Sequence, residues 1–379
     1  MNIQNTVVRF PEELQAMSDL AENFALKELV AKREENDHYP FGDFFTKTIK
    51  NASKIGFYSV NLPAKYGGIG MSNSALASIL EKISLSDASM AGIIFTNAAA
   101  IEIINQASLY TDCDAVYKIL SAEEALPIAF SSFTGIGEME NPVADKEGKI
   151  SGRISFLCLG EVSRYAVIPA AELTQSGKIS YYLLDLNEKG IEKSEPVYSL
   201  GFHACPGVDI AMNNVPATLI GNARDGGKYF NAMQSQLSVG AAAISLGILK
   251  GSFIEALQYT KDRFQGGRQI IDWSEVRMIL ANMVIEALVA QSALASACSD
   301  LENDIAGWEK TARATAIHIG EMACRTTVDG VQLLGGNGYM KDYGQEKRMR
   351  DANQAQCLLG MIQIRKMDLI DMIIKENQQ

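Results

Sequence analysis

The sequence predicts an α+β chain in three parts: a helical N-terminal segment, a middle region forming a small β-barrel or sandwich, and a C-terminal four-helix bundle. Helix-period apolar patterns fill both ends, and short β-branched runs between turn residues fill the middle. With 379 residues, 47% of them apolar, the chain can bury a sizeable interior but is long for one core. The boundaries expected are 1–124 for the first helical domain, 125–224 for the β domain and 225–379 for the bundle.

From Pro11 to about Ala122 the pattern is mostly helical. Helix starts are placed at Pro11-Glu12-Glu13 and at Ser72-Asn73-Ser74, with a Pro/Gly break from Pro63 to Gly70. Ser89 to Ser108 is apolar nearly throughout and reads as a core helix. The expected strands are Ile128 to Phe130, Arg164 to Ile168, Tyr181 to Asp185 and Val208 to Met212. After Asp225, long amphipathic segments return at Met233 to Phe264, Ser274 to Asn303, Trp308 to Leu334 and Ala352 to Asn377.

The chain carries 45 acidic and 34 basic residues, a formal charge of −11, and no block of Lys or Arg stands out. Such a balance argues against nucleic acid as a partner. Six cysteines (Cys113, Cys158, Cys205, Cys298, Cys324 and Cys357) form no Cys-x-x-Cys pair, and the three histidines (His38, His203, His318) have no ligand spacing. Neither a metal site nor a disulfide framework is expected. Met1 to Phe10 lacks the charged and apolar regions of a signal peptide, and no uninterrupted apolar run reaches the ~18 residues of a membrane span. The reading is a soluble, cytoplasmic protein without a membrane span.

Four local motifs carry chemistry. Gln332-Leu-Leu-Gly335-Gly336-Asn-Gly338-Tyr339 is a glycine turn in which backbone amides can approach a pyrophosphate closely. Tyr259-Thr-Lys-Asp-Arg263 ends a long helix with a guanidinium, and Arg350-Asp351-Ala352 precedes Leu358-Leu359-Gly360. The fourth is the strand Phe156-Leu-Cys158-Leu-Gly160. These segments, with Leu62 to Gly70, Leu80 to Ala88 and Ile150 to Phe156, resemble the acyl-CoA dehydrogenase family in order and spacing along nearly the whole chain.

The resemblance implies an FAD-dependent oxidoreductase acting on an acyl-CoA thioester and passing electrons to an electron-transfer flavoprotein. It also implies a homo- or hetero-tetramer, with Arg263 and the turn Gln332, Gly335, Gly336 and Gly338 holding a neighbour's FAD. Phe156 stands at the family's tryptophan facing the flavin. Cys158 replaces a threonine and is a weaker hydrogen-bond partner. Gln363 aligns with a family Gln or Glu near the adenine end, a position equally compatible with a plain surface residue. The family's Thr-Glu-Pro-x-x-Gly-Ser-Asp loop is replaced by the shorter Ser131 to Gly137, where Ser132 and Thr134 either substitute for the lost hydroxyls or form a solvated turn. Gly266 stands where the family places a phenylalanine after its arginine.

The catalytic carboxylate is missing. The family's base glutamate falls eight residues after the aspartate of Arg-Asp-Ala, at Leu359, and its second solution falls 26 residues before Arg263, at Leu237. A leucine accepts no proton, so the base is unassigned. The two leucines either line an acyl pocket or fill the space of a carboxylate. Tyr339, Asp342, Glu346 and Asp351 are the nearest alternatives, with Arg350 and Asp351 expected in a structural ion pair or subunit contact. Two functional readings follow: a dehydrogenase with an unrecognised base, or a non-catalytic, FAD-sharing subunit beside an intact homologue. A structural protein of the same fold without flavin is a third.

Overall fold

The structure is a computed structural model that describes residues 12–38, 47–122, 125–131, 142–172 and 175–376. Its N-terminal part contains α1 (Glu12–Phe24), α2 (Arg33–Asn36), α3 (Ile49–Ile55), α4 (Asn73–Ser84), α5 (Ala88–Ser108) and α6 (Asp114–Leu120). Ser72 caps α4 by accepting from the Ala75 amide at 3.3 Å, and Asp87 caps α5 by accepting from the Ser89 amide at 2.8 Å. Because α5 is apolar on every side, it sits in the centre and is buried for most of its length.

The middle is a closed barrel. Its strands are β1 (Ala129–Phe130), β2 (Val143–Ala144), β3 (Lys149–Cys158), β4 (Tyr165–Glu172), β5 (Gln175–Asp185), β6 (Ile191–Lys193) and β7 (Gly207–Ile220). β3 pairs with β7, β7 with β5 and β5 with β4, all antiparallel; β4 then meets β1 and β2 in parallel, and these return to β3. Of the two β architectures expected, closure selects the barrel. A register shift between Ile154 and Leu157 bends β3 where it reaches Phe156.

The C-terminal part holds α7 (Gly226–Gln236), α8 (Ser238–Asp262), α9 (Ser274–Glu302), α10 (Trp308–Leu334), α11 (Gln345–Ala355) and α12 (Ile362–Glu376). Two expected helices are each divided. Met233 to Phe264 breaks at Leu237 (φ −91°, ψ 2°), where the Ser238 hydroxyl donates back to the Gln234 carbonyl at 2.7 Å and bends the chain. Ala352 to Asn377 is interrupted between Ala355, where the helix that begins at Gln345 ends, and Ile362 by a tight turn that contains Gly360 at φ +100°. A two-stranded hairpin, β8 (Phe264–Gln265) and β9 (Arg268–Gln269), turns on Gly266 and Gly267, both at positive φ.

By length and composition, α5, α8 and α9 could each cross a membrane. Both α5 and α8 are almost wholly buried inside the protein, whereas α9 presents Met278, Ile285 and Val289 outward.

Ion pairs join the parts. Lys250 of α8 is fully buried against Glu81 of α4 at 2.6 Å. Arg348 of α11 and Arg33 both hold Glu255 of α8, at 2.8 and 2.5 Å. Arg350 bridges Glu346 and Asp37, while Lys347 lies 2.6 Å from Asp351 and 3.5 Å from Asp87.

Burial pushes the Glu255 carboxyl up, but the two guanidiniums outweigh it and bring it down to about 2. A depressed folded-state value adds stability above the unfolded value, here 4.5, and that stability is lost as pH falls through the folded one. Thermal unfolding should therefore weaken between about pH 5 and 2, by up to about 3 kcal/mol for this carboxylate. Glu255→Gln should flatten that stretch of the stability curve; an unchanged acid limb would count against the assignment.

Candidate functional site

An apolar pocket opens where α5, the barrel mouth and the turn after α11 converge. Phe95, Thr96 and Ala99 come from α5, Phe130 from β1, and Phe156 and Cys158 from β3. The loop before β7 adds Ser199, Phe202 and Cys205, and the C-terminal turn adds Gln354, Cys357 and Leu358. An aromatic wall with a few hydroxyl, amide and thiol groups is the usual lining of a small-molecule site.

Two of its phenylalanines are held in the left-handed region, Phe156 at φ 57° and Phe202 at φ 53°. Bulky residues rarely adopt it, and such strain concentrates at functional sites. Each has its amide fixed by a carboxylate: Phe156 N–H donates to Asp209 Oδ1 at 2.9 Å, and Phe202 N–H to Asp351 Oδ1 at 2.8 Å. Glycines make room for both rings. A Cβ at Gly207 would stand 3.0 Å from the Phe156 ring, and one at Gly92 would stand 3.0 Å from Phe202.

Among the described residues, no carboxylate, imidazole or amine lines the pocket. Leu237 (0% exposed) and Leu359 (1%) are buried in the core, and neither is among the residues that line the pocket. Gln234 Nε2 donates to the Leu359 carbonyl at 3.0 Å and fixes that turn. Glu346 is paired with Arg350, and Asp351 with Lys347 and the Phe202 amide. Tyr339 and Asp342 belong to the loop between α10 and α11, away from the pocket.

The pocket's titratable groups are thiols. Burial pushes Cys158 up to about 12 and Cys205 well above the usual thiol range, while Thr96 hydrogen-bonds both. Cys357 is also raised by burial, opposed by the nearby Arg365. No group of three or more His, Cys, Asp or Glu suited to a metal exists among the described residues.

The other predicted residues gather elsewhere. Arg263 ends α8 with an exposed side chain that has no partner among the described residues. Gln332 is exposed, and its carbonyl accepts from the Gly335 amide at the end of α10. The two elements meet through Asn337 Nδ2, which donates to Tyr259 Oη at 2.9 Å, one turn before Arg263. Gln363 is exposed on the first turn of α12. Ser132 and Thr134 lie outside the described residues.

The glycines of the turn differ in kind. Gly338 is needed for folding, because a Cβ there would fall 2.1 Å from the Val331 carbonyl oxygen. Gly335 and Gly336 face open space, with only Tyr339 Oη 4.0 Å from a Cβ at 336.

Arg263 and the pocket lie toward opposite ends of α8. The helix has 25 residues, about 37 Å, and its N-terminal end follows Gln234, which is bonded to the neighbour of pocket residue Leu358. A ligand seated in one chain's pocket is thus remote from that chain's own Arg263.

Sequence reading had named only Phe156 and Cys158 of the pocket lining. Phe95, Thr96, Phe130, Phe202, Cys205 and Cys357 carry no local motif, and the strain at 156 and 202 leaves no mark in composition. The hairpin after Arg263 did have a signal in Gly266-Gly267.

A barrel between two helical domains, with an aromatic pocket at their junction and a glycine turn beside an unpaired arginine, defines the class. The profile of the acyl-CoA dehydrogenase N-terminal domain matches residues 11–108, and that of the C-terminal domain matches residues 227–374. The chain belongs to the acyl-CoA dehydrogenase family. It is 26% identical to the 3-(aryl)acrylate reductase of Clostridium sporogenes over 97% of this chain and 100% of that one. Identity to the caffeyl-CoA reductase–Etf complex subunit of Acetobacterium woodii is 24%, with the same coverage. Among solved structures, butyryl-CoA dehydrogenase from Megasphaera elsdenii superposes with a TM-score of 0.87 at 20% identity, over 97% of this chain and 99% of that one.

Gly336→Ala should leave the unfolding temperature of the isolated protein unchanged, whereas Gly338→Ala should lower it by several degrees, as expected for a clash against buried backbone. Calorimetry of the two variants separates a turn kept open for a ligand from one required by packing; equal losses would contradict the distinction.

Proposed function

We propose that this chain is an FAD-dependent, acyl-CoA dehydrogenase-type oxidoreductase acting on the α,β bond of an acyl thioester and exchanging electrons with an electron-transfer flavoprotein. The carrying observation is the strained, aromatic pocket containing Phe156 and Cys158. The residues fit the cofactor: an apolar slot with hydroxyls and thiols suits a flavin ring, while the open turn at Gly335 and Gly336 and the exposed Arg263 guanidinium suit its pyrophosphate. FAD supplies, when bound, a two-electron hydride acceptor or donor. The chain's own part is to exclude water with four phenylalanines and to position the reacting carbons against the C-terminal turn.

Because Arg263 is remote from its own pocket, Arg263, Gln332, Gly335 and Gly336 are proposed to serve a neighbouring subunit's FAD. The outward apolar faces of α9 and of α12 (Met367, Ile370, Ile373, Ile374) support assembly with a second copy or a homologous subunit. Two relatives are named as reductases of an arylacrylate and of caffeyl-CoA, and one of these belongs to an Etf complex. A second reading, an FAD-sharing subunit of a heteromeric enzyme, is favoured by one observation: the elements offered to a neighbour are intact while leucines fill both base positions.

The test is the visible spectrum of the purified protein, followed anaerobically with acyl and enoyl thioesters. Flavin that changes redox state supports the first reading. Flavin that responds only after an intact homologue is added supports the second, and a flavin-free, unresponsive protein would sink both. Arg263→Ala should lower FAD retention at least tenfold without changing the stability of the apoprotein, since its side chain has no partner among the described residues; equilibrium dialysis with FAD measures it.

A further inference from the structure

Three of the six cysteines, far apart in sequence, meet at the pocket, and they are its titratable groups among the described residues. Cys158 and Cys205 are both tied to Thr96. Cys357 differs: it sits two residues before Leu359, in the turn where the family carries its base, and it lines the pocket while Leu359 does not. Behind it stands Arg365 of α12. Arg365 is only 7% exposed, and its Nη1 donates to the carbonyl of Gln356, the residue preceding Cys357, at 3.3 Å. Its Nη2 has no hydrogen-bond partner among the described residues although buried. An unpartnered buried guanidinium beside a pocket thiol is costly unless an anion forms there at some stage.

We infer that this pocket is fitted to reduce an α,β-unsaturated acyl substrate, with the Cys357 thiol giving the proton to Cα and Arg365 stabilising the thiolate left behind. The inference rests on the flavin-dependent function proposed above. In the balanced step, a hydride taken from reduced flavin forms the new C–H bond at Cβ, and the C=C π pair moves to Cα. That carbon takes the proton from Sγ–H, and solvent later returns a proton to sulfur. The substrate gains two electrons and two hydrogens, and the flavin is oxidised by two electrons.

Direction follows from acid strength. A thiol held protonated at neutral pH is a poor base for removing an α-proton but a competent donor, the reverse of what a glutamate offers. The charged and titratable groups around the pair are few. Cys324 of α10 neighbours Cys357, Arg313 of α10 faces Arg365, and Asp368 of α12 acts on Arg313.

The experiment uses the FAD-loaded protein, reduced with dithionite and mixed anaerobically with crotonyl-CoA or cinnamoyl-CoA. Cys357→Ala should slow flavin reoxidation about 10²–10⁴-fold, with flavin content and thioester-induced spectral shift retained; Cys357→Asp should restore part of the rate with a pH profile moved into the carboxylate range. Independently of turnover, iodoacetamide labelling of Cys357, mapped by mass spectrometry against pH, should be slowed by bound FAD and crotonyl-CoA. Its midpoint should rise in Arg365→Met. Should the alanine variant lose flavin, Cys357→Ser carries the same comparison. Reoxidation of Cys357→Ala at the wild-type rate, or labelling indifferent to the ligands, overturns the proton donor while leaving the proposed function standing. A wild-type protein that reacts with neither thioester overturns both.

Discussion

The structure depends on α11, an eleven-residue helix whose charges are nearly all turned inward. Lys347, Arg348, Arg350 and Asp351 reach Asp87, Glu255, Asp37 and the Phe202 amide. These partners lie in the N-terminal helices, in α8 and in the loop before β7, so one short helix fixes three parts of the chain against one another. Such pairs bring little net stability, because desolvation offsets attraction, but removing one partner costs about 3–5 kcal/mol. They act as a register: the parts can come together in one arrangement that keeps these charges paired.

The pocket inherits this constraint. Its lining arrives from α5, two strands, a loop and the C-terminal turn, and the loop is held by Asp351 through the amide of a residue in strained backbone. The second strained residue, Phe156, is held by Asp209 in the same way. Strain of this kind, of order 1–3 kcal/mol per residue, persists only where surrounding structure over-determines it. The ion pairs of α11 and the closed barrel supply that rigidity, holding two phenylalanines in the pocket lining.

The same geometry sets what the chain can do. The pocket and Arg263 are separated by most of α8, which is why the proposed site draws on two subunits. Filling both base positions with buried leucines removes the family's proton acceptor, and it leaves thiols raised by burial as the pocket's protic groups. Proton donation in place of proton removal is the chemistry we infer from it.

Much of the architecture was determined by the sequence alone. Helix period at both ends, β-branched runs in the middle and the caps at Ser72 and Asp87 are local properties, and the glycine turn, Arg263 and the absent carboxylate are legible as motifs. Other features were decided only by tertiary structure. Leu237 and Gly360 break two long helical patterns through backbone conformations that apolar periodicity does not register. Cys158, Cys205 and Cys357 become neighbours because barrel closure and α11 docking bring distant segments together, and no spacing rule encodes that distance. The turn at Leu359 is held by a bond from Gln234, 125 residues away. Local propensity is written in neighbouring residues; the pocket is written in contacts that exist only once the chain has folded.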